Sequence, residues 1–131
     1  MRWLPVSFIL SLLLTLVACS REIDPGDIAA QAAKQYYEYL LEGKYDLFVD
    51  GMNQPDTIPG SYREQLITNA KMFVGQQKEE HRGIREVRVV SAEADTARRV
   101  ANVFIVFAYG DSTSEEVLVP MVLRKGVWYM R

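Results

Sequence analysis

The chain has 131 residues, 15 basic against 17 acidic side chains, one His and one Cys, and 49% of it is hydrophobic. That length fits one domain, and the lone Cys and lone His exclude an internal disulfide, a Cys-rich zinc site and a multi-histidine metal site. A net charge of -2 offers no electrostatic footprint for nucleic acid, and no Gly-rich phosphate loop of the Walker or dinucleotide type occurs, so no nucleic acid, metal or cofactor is expected.

Residues 1–18 read as a cleaved secretory signal. Arg2 supplies the positive start, residues 8–17 the apolar run, and Ala18 the small residue before the cut. The stretch 3–18 is shorter than the roughly 20 residues that a helix needs to cross a bilayer core. Leu16, Val17, Ala18 and Cys19 resemble a bacterial lipobox. The resemblance implies a diacylglyceryl group on the Cys19 thiol, cleavage before Cys19 and acylation of the new amino group. Two or three acyl chains hold a protein on a membrane where one binds only reversibly. Ser20 follows, and by analogy with enteric bacteria the absence of Asp there implies transfer to the outer membrane. Glu22 and Asp24 form a weak version of the acidic signal that sends some lipoproteins to the cell surface, which leaves the leaflet open. Residues 19–26 are the lipidated Cys and a polar tether, bounded by Pro25 and Gly26.

Residues 27–131 make one α+β domain. Asp27 is placed to cap a helix running from Ile28 to Glu42, with Gly43 as its stop. Ile28, Ala32, Tyr36, Tyr39 and Leu40 recur at helical spacing as its apolar face. Tyr45, Phe48, Val49 and Met52 suggest a second, shorter helix, and the two prolines of residues 53–60 make that stretch a loop. Ser61 and Glu64 have capping-box spacing and open a third helix with Leu66, Ile67, Ala70, Phe73 and Val74 inward. Its solvated run ends at Gly83.

From Ile84 the period changes to two. Strands are predicted over residues 84–94, 98–109, 115–125 and 127–131, and their short connections force an antiparallel meander. Residues 100–109 are apolar on both faces except for Asn102, as in a central strand. Pro120 predicts a bulge or a missing ladder partner in the third strand. Arg82, Arg85, Arg88, Arg98, Arg99 and Arg124 alternate with Glu80, Glu86 and Glu93, a pattern that predicts cross-strand ion pairs. Helices followed by strands mean α+β, with the helices on one face of the sheet.

Three helices, then a long meander ending in Lys125, Gly126, Val127 and Trp128, resemble the cone-shaped nuclear transport factor 2-like superfamily, a cystatin-like fold. The closing Lys-Gly-x-Trp is similar to the Asp-Gly-x-Trp hairpin of many members, and with the lipobox the chain resembles small bacterial lipoproteins of that superfamily. The chain departs from the fuller form between the second and third helices, where a Pro-rich loop replaces a strand or hairpin. The resemblance implies a curved sheet wrapped around a helix, an apolar cavity, and any chemistry performed by a few polar groups projecting into it.

Candidates for such groups are Tyr36, Asp50, Asn102 and Tyr109, with Tyr39 and Tyr62 as further hydroxyls. A mid-strand amide such as Asn102 either orients a ligand or faces solvent, and tyrosines at helical spacing commonly supply core area. His81 lies in a charged run and reads as a solvated helix end, so no Ser/His/Asp triad stands out, and lipidation would consume the one thiol. The expectation is a non-catalytic lipoprotein of the bacterial cell envelope, held in the membrane through Cys19. It would bind a small apolar ligand or an envelope protein through the cavity or the sheet face. The alternatives are an isomerase- or hydrolase-like enzyme and a structural homodimer.

Overall fold

A computed structural model describes residues 23–131. The predicted signal, the lipobox and Cys19 lie outside the described residues. Three helices, α1 (Pro25–Leu41), α2 (Tyr45–Asp50) and α3 (Gly60–His81), precede four strands, β1 (Ile84–Asp95), β2 (Val100–Tyr109), β3 (Ser114–Arg124) and β4 (Val127–Met130). The strands form one antiparallel sheet in the order β1-β2-β3-β4, the meander that the short turns require. The residues at 98 and 99 belong to the β1–β2 turn rather than to β2, with Arg99 at φ 57.

α1 starts earlier than its apolar pattern suggests. Asp24, not Asp27, is the cap: its carboxylate accepts the amide of Gly26 at 2.9 Å, and Pro25 takes the first helical position, where a missing N–H costs nothing. The buried face is Gly26, Ala29, Ala30, Ala33 and Leu40, whereas Ile28 is 48% exposed. These small residues let the helix lie close on the sheet. They join Val103, Ile105 and Met121, all fully buried, in one hydrophobic cluster. The inside of the cone is thus filled by side chains.

β2 alternates as a half-buried central strand does. Ala101, Val103, Ile105, Phe107 and Tyr109 face the core, and Asn102, Phe104 and Val106 face out. Two residues of β1, Arg85 and Val90, have no counterpart on β2, so both irregularities of the sheet are bulges in that strand. Pro120, by contrast, sits in continuous register opposite Asn102. Its carbonyl accepts the Arg131 amide at 2.9 Å, so its N–H side faces the end of β4, and β2 asks for no donor there. Of the two outcomes expected at Pro120, a bulge or a missing ladder partner, the second holds: β3 stays in register, and the proline lacks only the donor that would return the Arg131 bond.

The loop after α2 adds more than a connection. Met52 bridges Met130 in parallel, with Asn53 N donating to Met130 O and Met130 N to Gly51 O, each at 2.7 Å. This short segment pairs with the Met130 end of the outer edge of β4. Gly51 packs so closely on Tyr36 that an added Cβ would collide with its ring. α3 begins at Gly60 behind Pro59 with no side-chain cap, so the Ser61/Glu64 box does not form. Of its inward residues only Ala70 is buried, while Leu66, Ile67, Phe73 and Val74 are half-buried. The arginines and glutamates of β1 do not pair across the sheet. Glu86 stands opposite Ala108, Arg88 opposite Val106 and Glu93 opposite Asn102.

Candidate functional site

Because α3 stands off from the sheet, an apolar pocket of about 260 Å³ remains between the three helices. Tyr37 and Leu40 of α1, Phe48 of α2, Met52, and Leu66, Ala70 and Phe73 of α3 form its walls. Its aromatic rings pack edge-on and tilted: Tyr37 lies 5.4 Å from both Phe48 and Phe107, and Phe73 lies 6.4 Å from Phe107. Two polar groups reach it. Asn69 accepts from Gln65 Nε2 at 2.8 Å, which leaves its amide nitrogen able to donate. Burial pushes the Tyr37 phenol up from its ordinary value, so at neutral pH it is an O–H donor. This mostly apolar lining suits an apolar group. Among the described residues that line it, none carries a carboxylate, imidazole or thiol.

The four residues singled out in the sequence do not meet there. The Tyr36 hydroxyl donates to the Trp128 carbonyl at 2.6 Å and ties α1 to β4; burial raises its pKa. Asp50 is exposed and ion-paired with Arg63. It lines a separate, polar cavity of about 210 Å³ whose other charges, Asp56 and Arg124, also pair with each other, at 3.8 Å. Asn102 is exposed on the outer face of the sheet, because its parity on β2 is opposite to that of the core residues. Tyr109 faces inward, but its hydroxyl is taken by Glu115 Oε2 at 2.6 Å. Tyr39 is half-buried against the core, and Tyr62 is 45% exposed on α3.

Tyr109 belongs instead to a cluster that the sequence reading missed. His81, at the end of α3, stacks on its ring at 4.1 Å between centroids and 13° between planes. His81 Nδ1 lies 3.1 Å from Asp111 Oδ2. The Asp111 amide donates to the His81 carbonyl at 3.0 Å, and that of Gly110 to the Gly83 carbonyl at 2.9 Å. The end of α3 is thereby latched to the β2–β3 turn, and His81 is not a solvated helix end. Hydrogen bonds from the Thr113 hydroxyl and amide hold Asp111 down at about 2; burial and the Glu115 carboxylate push Tyr109 up to about 12. The geometry of the cluster is that of a fastening between α3 and the β2–β3 turn. Among the described residues, no group of three or more His, Cys, Asp or Glu is placed to hold a metal ion, and no helix is long and apolar enough to cross a membrane.

The helices on one face of a bulged four-stranded antiparallel meander are an α+β arrangement consistent with the cone-shaped nuclear transport factor 2-like fold. No protein-family model matches the chain. No curated protein matches it either. Among solved structures it is similar to one from Campylobacter jejuni that carries the working description NTF2-like transpeptidase. The two align with a TM-score of 0.61 over 76% of this chain and 94% of that one, at 9% identity, a likeness of fold alone.

Proposed function

We propose that the protein is a non-catalytic lipoprotein of the bacterial cell envelope, anchored through Cys19, whose pocket between α1, α2 and α3 holds a small apolar ligand. The observation that carries the binding role is the lining of that pocket: six apolar side chains together with the neutral polar Tyr37 and Asn69. Sites for small molecules are concave and mostly apolar, with few polar groups and volumes of about 300–1,000 Å³; at about 260 Å³ this one lies just below that range and suits only a small ligand. The anchoring role rests on Leu16, Val17, Ala18 and Cys19.

Two measurements test the two halves. Labelled fatty acid should enter the wild-type chain and not Cys19→Ala; equal labelling of both would refute the anchor. A naphthylamine fluorophore should bind the purified protein saturably, one per chain. Ala70→Phe, which fills the pocket from α3, should abolish that binding while leaving the circular dichroism spectrum intact. Undiminished binding in the filled variant would refute the pocket.

A second reading has its own observation. The outer sheet face carries Val90 at 53% and Leu118 at 49% exposure beside half-exposed Phe104, Val106 and Pro120, a surface suited to a homodimer. Sedimentation distinguishes it, since Leu118→Glu would dissociate such a dimer.

A further inference from the structure

A second hollow lies where α1 and α3 end and β1 begins. It measures about 210 Å³ and has an apolar floor of Leu41, Val74 and Ile84, with Gln77, Lys78 and Arg82 around it. It is separate from the pocket between the helices, whose walls on α3 stop at Phe73. Val74, Gln77 and Lys78 share one side of α3, because residues three and four apart are neighbours on a helix surface. The turn that follows is held in place. Arg82 N and Gly83 N both donate to the Gln77 carbonyl, and Gly110 N donates to the Gly83 carbonyl at 2.9 Å. Gly110 packs so closely here that an added Cβ would collide with the Arg82 carbonyl. Arg82 is kept in the left-handed conformation, at φ 60, and the stem of Lys78 runs beside Gly83.

The polar groups of this hollow lack partners. Gln77 Oε1 is buried without a hydrogen bond, the single such side-chain atom among the described residues. Lys78 and Arg82 are exposed and form no ion pair among the described residues. The neighbouring acids are turned away or engaged. Glu79 lies with Met72, Gly75 and Gln76 on the exposed side of α3, and Glu80 accepts from Gln76 Nε2 at 3.2 Å. Glu42 pairs with Lys44, and Asp111 with His81. The helix-end carbonyl of His81 is taken by Asp111 N at 3.0 Å, as that of Gln77 is by the turn, which weakens the negative end of α3. What remains is a positive rim over an apolar floor, with one buried acceptor unsatisfied. A buried carbonyl without a partner is costly and rare in folded proteins. The torsion that orients a Gln carboxamide is broad, so a rotation turns Oε1 into the hollow that the side chain lines.

We propose that this hollow binds a small organic carboxylate carrying an α-amido or α-hydroxy donor. The carboxylate meets Lys78 and Arg82, the N–H or O–H donates to Gln77 Oε1, and a short apolar substituent rests on Leu41, Val74 and Ile84. Inorganic phosphate leaves the apolar floor uncovered, and a simple fatty acid leaves the Gln77 oxygen unpaired. The site depends neither on the anchor nor on the pocket between the helices.

The probe is N-acetylalanine, titrated into the purified full chain and followed through methyl signals in nuclear magnetic resonance spectra. Those of Leu41, Val74 and Ile84 should move saturably, and those of Leu66, in the other pocket, should not. Gln77→Met removes the unpaired oxygen at nearly the same volume. It should raise the melting temperature of the free protein and weaken N-acetylalanine about tenfold. Lys78→Gln, at an exposed position, should weaken it severalfold and leave the melting temperature unchanged. Butyrate or inorganic phosphate binding as tightly as N-acetylalanine overturns the ligand class, as does undiminished binding by Gln77→Met. An absence of saturable shifts at Leu41, Val74 and Ile84 overturns the site.

Discussion

The two sides of α1 are packed to opposite standards. Toward the sheet, Ala29, Ala30 and Ala33 meet Val103, Ile105 and Met121 with 0–2% of each exposed. Toward α3, half-buried Leu66 and Phe73 border a cavity, and Met72 on the same helix is 66% exposed. The difference divides labour within a small domain. A filled interface carries the stability, and α3, latched at its C-terminal end through His81, borders a space that the rest of the fold does not need.

The comparison breaks most visibly if the filled side is emptied. Ile105→Ala should cost about 2–5 kcal/mol in urea unfolding, whereas Phe73→Ala, on the loose side, should cost clearly less and mainly weaken fluorophore binding. Equal losses would mean that the two sides are packed alike. Next in size, Gly51→Ala should cost about 1–3 kcal/mol, because its new methyl must displace the Tyr36 ring and with it the hydroxyl bond to Trp128. Tyr36→Phe in the same background should then add little.

A smaller effect concerns the latch. Asp111 falls from 3.8 to about 2 on folding, so its contribution is fully present above pH 3.8 and is lost as the pH falls through 2. Tyr109 rises from 10.0 to about 12, so its contribution is present below pH 10 and is lost as the pH rises through 12. Melting temperature followed against pH should lose its steepest acid limb in Asp111→Asn and part of its alkaline limb in Tyr109→Phe. Unchanged profiles would remove the latch from the account. Met72→Ser should do least, within about 0.5 kcal/mol either way.

Much of this architecture is written in local patterns. The change from a helical period to a period of two at Ile84 marks the helix–sheet boundary, and the short turns leave only a meander. Leu66, Ala70 and Phe73 are legible as the inner face of α3 and do line the pocket. Tyr37 is harder to see. The face of α1 that packs on the sheet is mostly alanine, which contrasts weakly with polar neighbours, and Ile28, Tyr36 and Tyr39 draw the apolar stripe one residue aside. Asp24 followed by Pro25 is a start signal in its own right, overlooked because Asp27 stands closer to the apolar run. The His81 cluster joins residues about 30 positions apart, and no period or spacing reports that. The side chain of Asn102 points outward because the pairing register alone decides which face of β2 is buried.

Native mass spectrometry of the chain, released in mild detergent from its own envelope, tests the central claim most directly. The account predicts a lipidated protein that retains one small apolar molecule, lost in Ala70→Phe. A wild-type chain carrying its lipid and nothing else would contradict it.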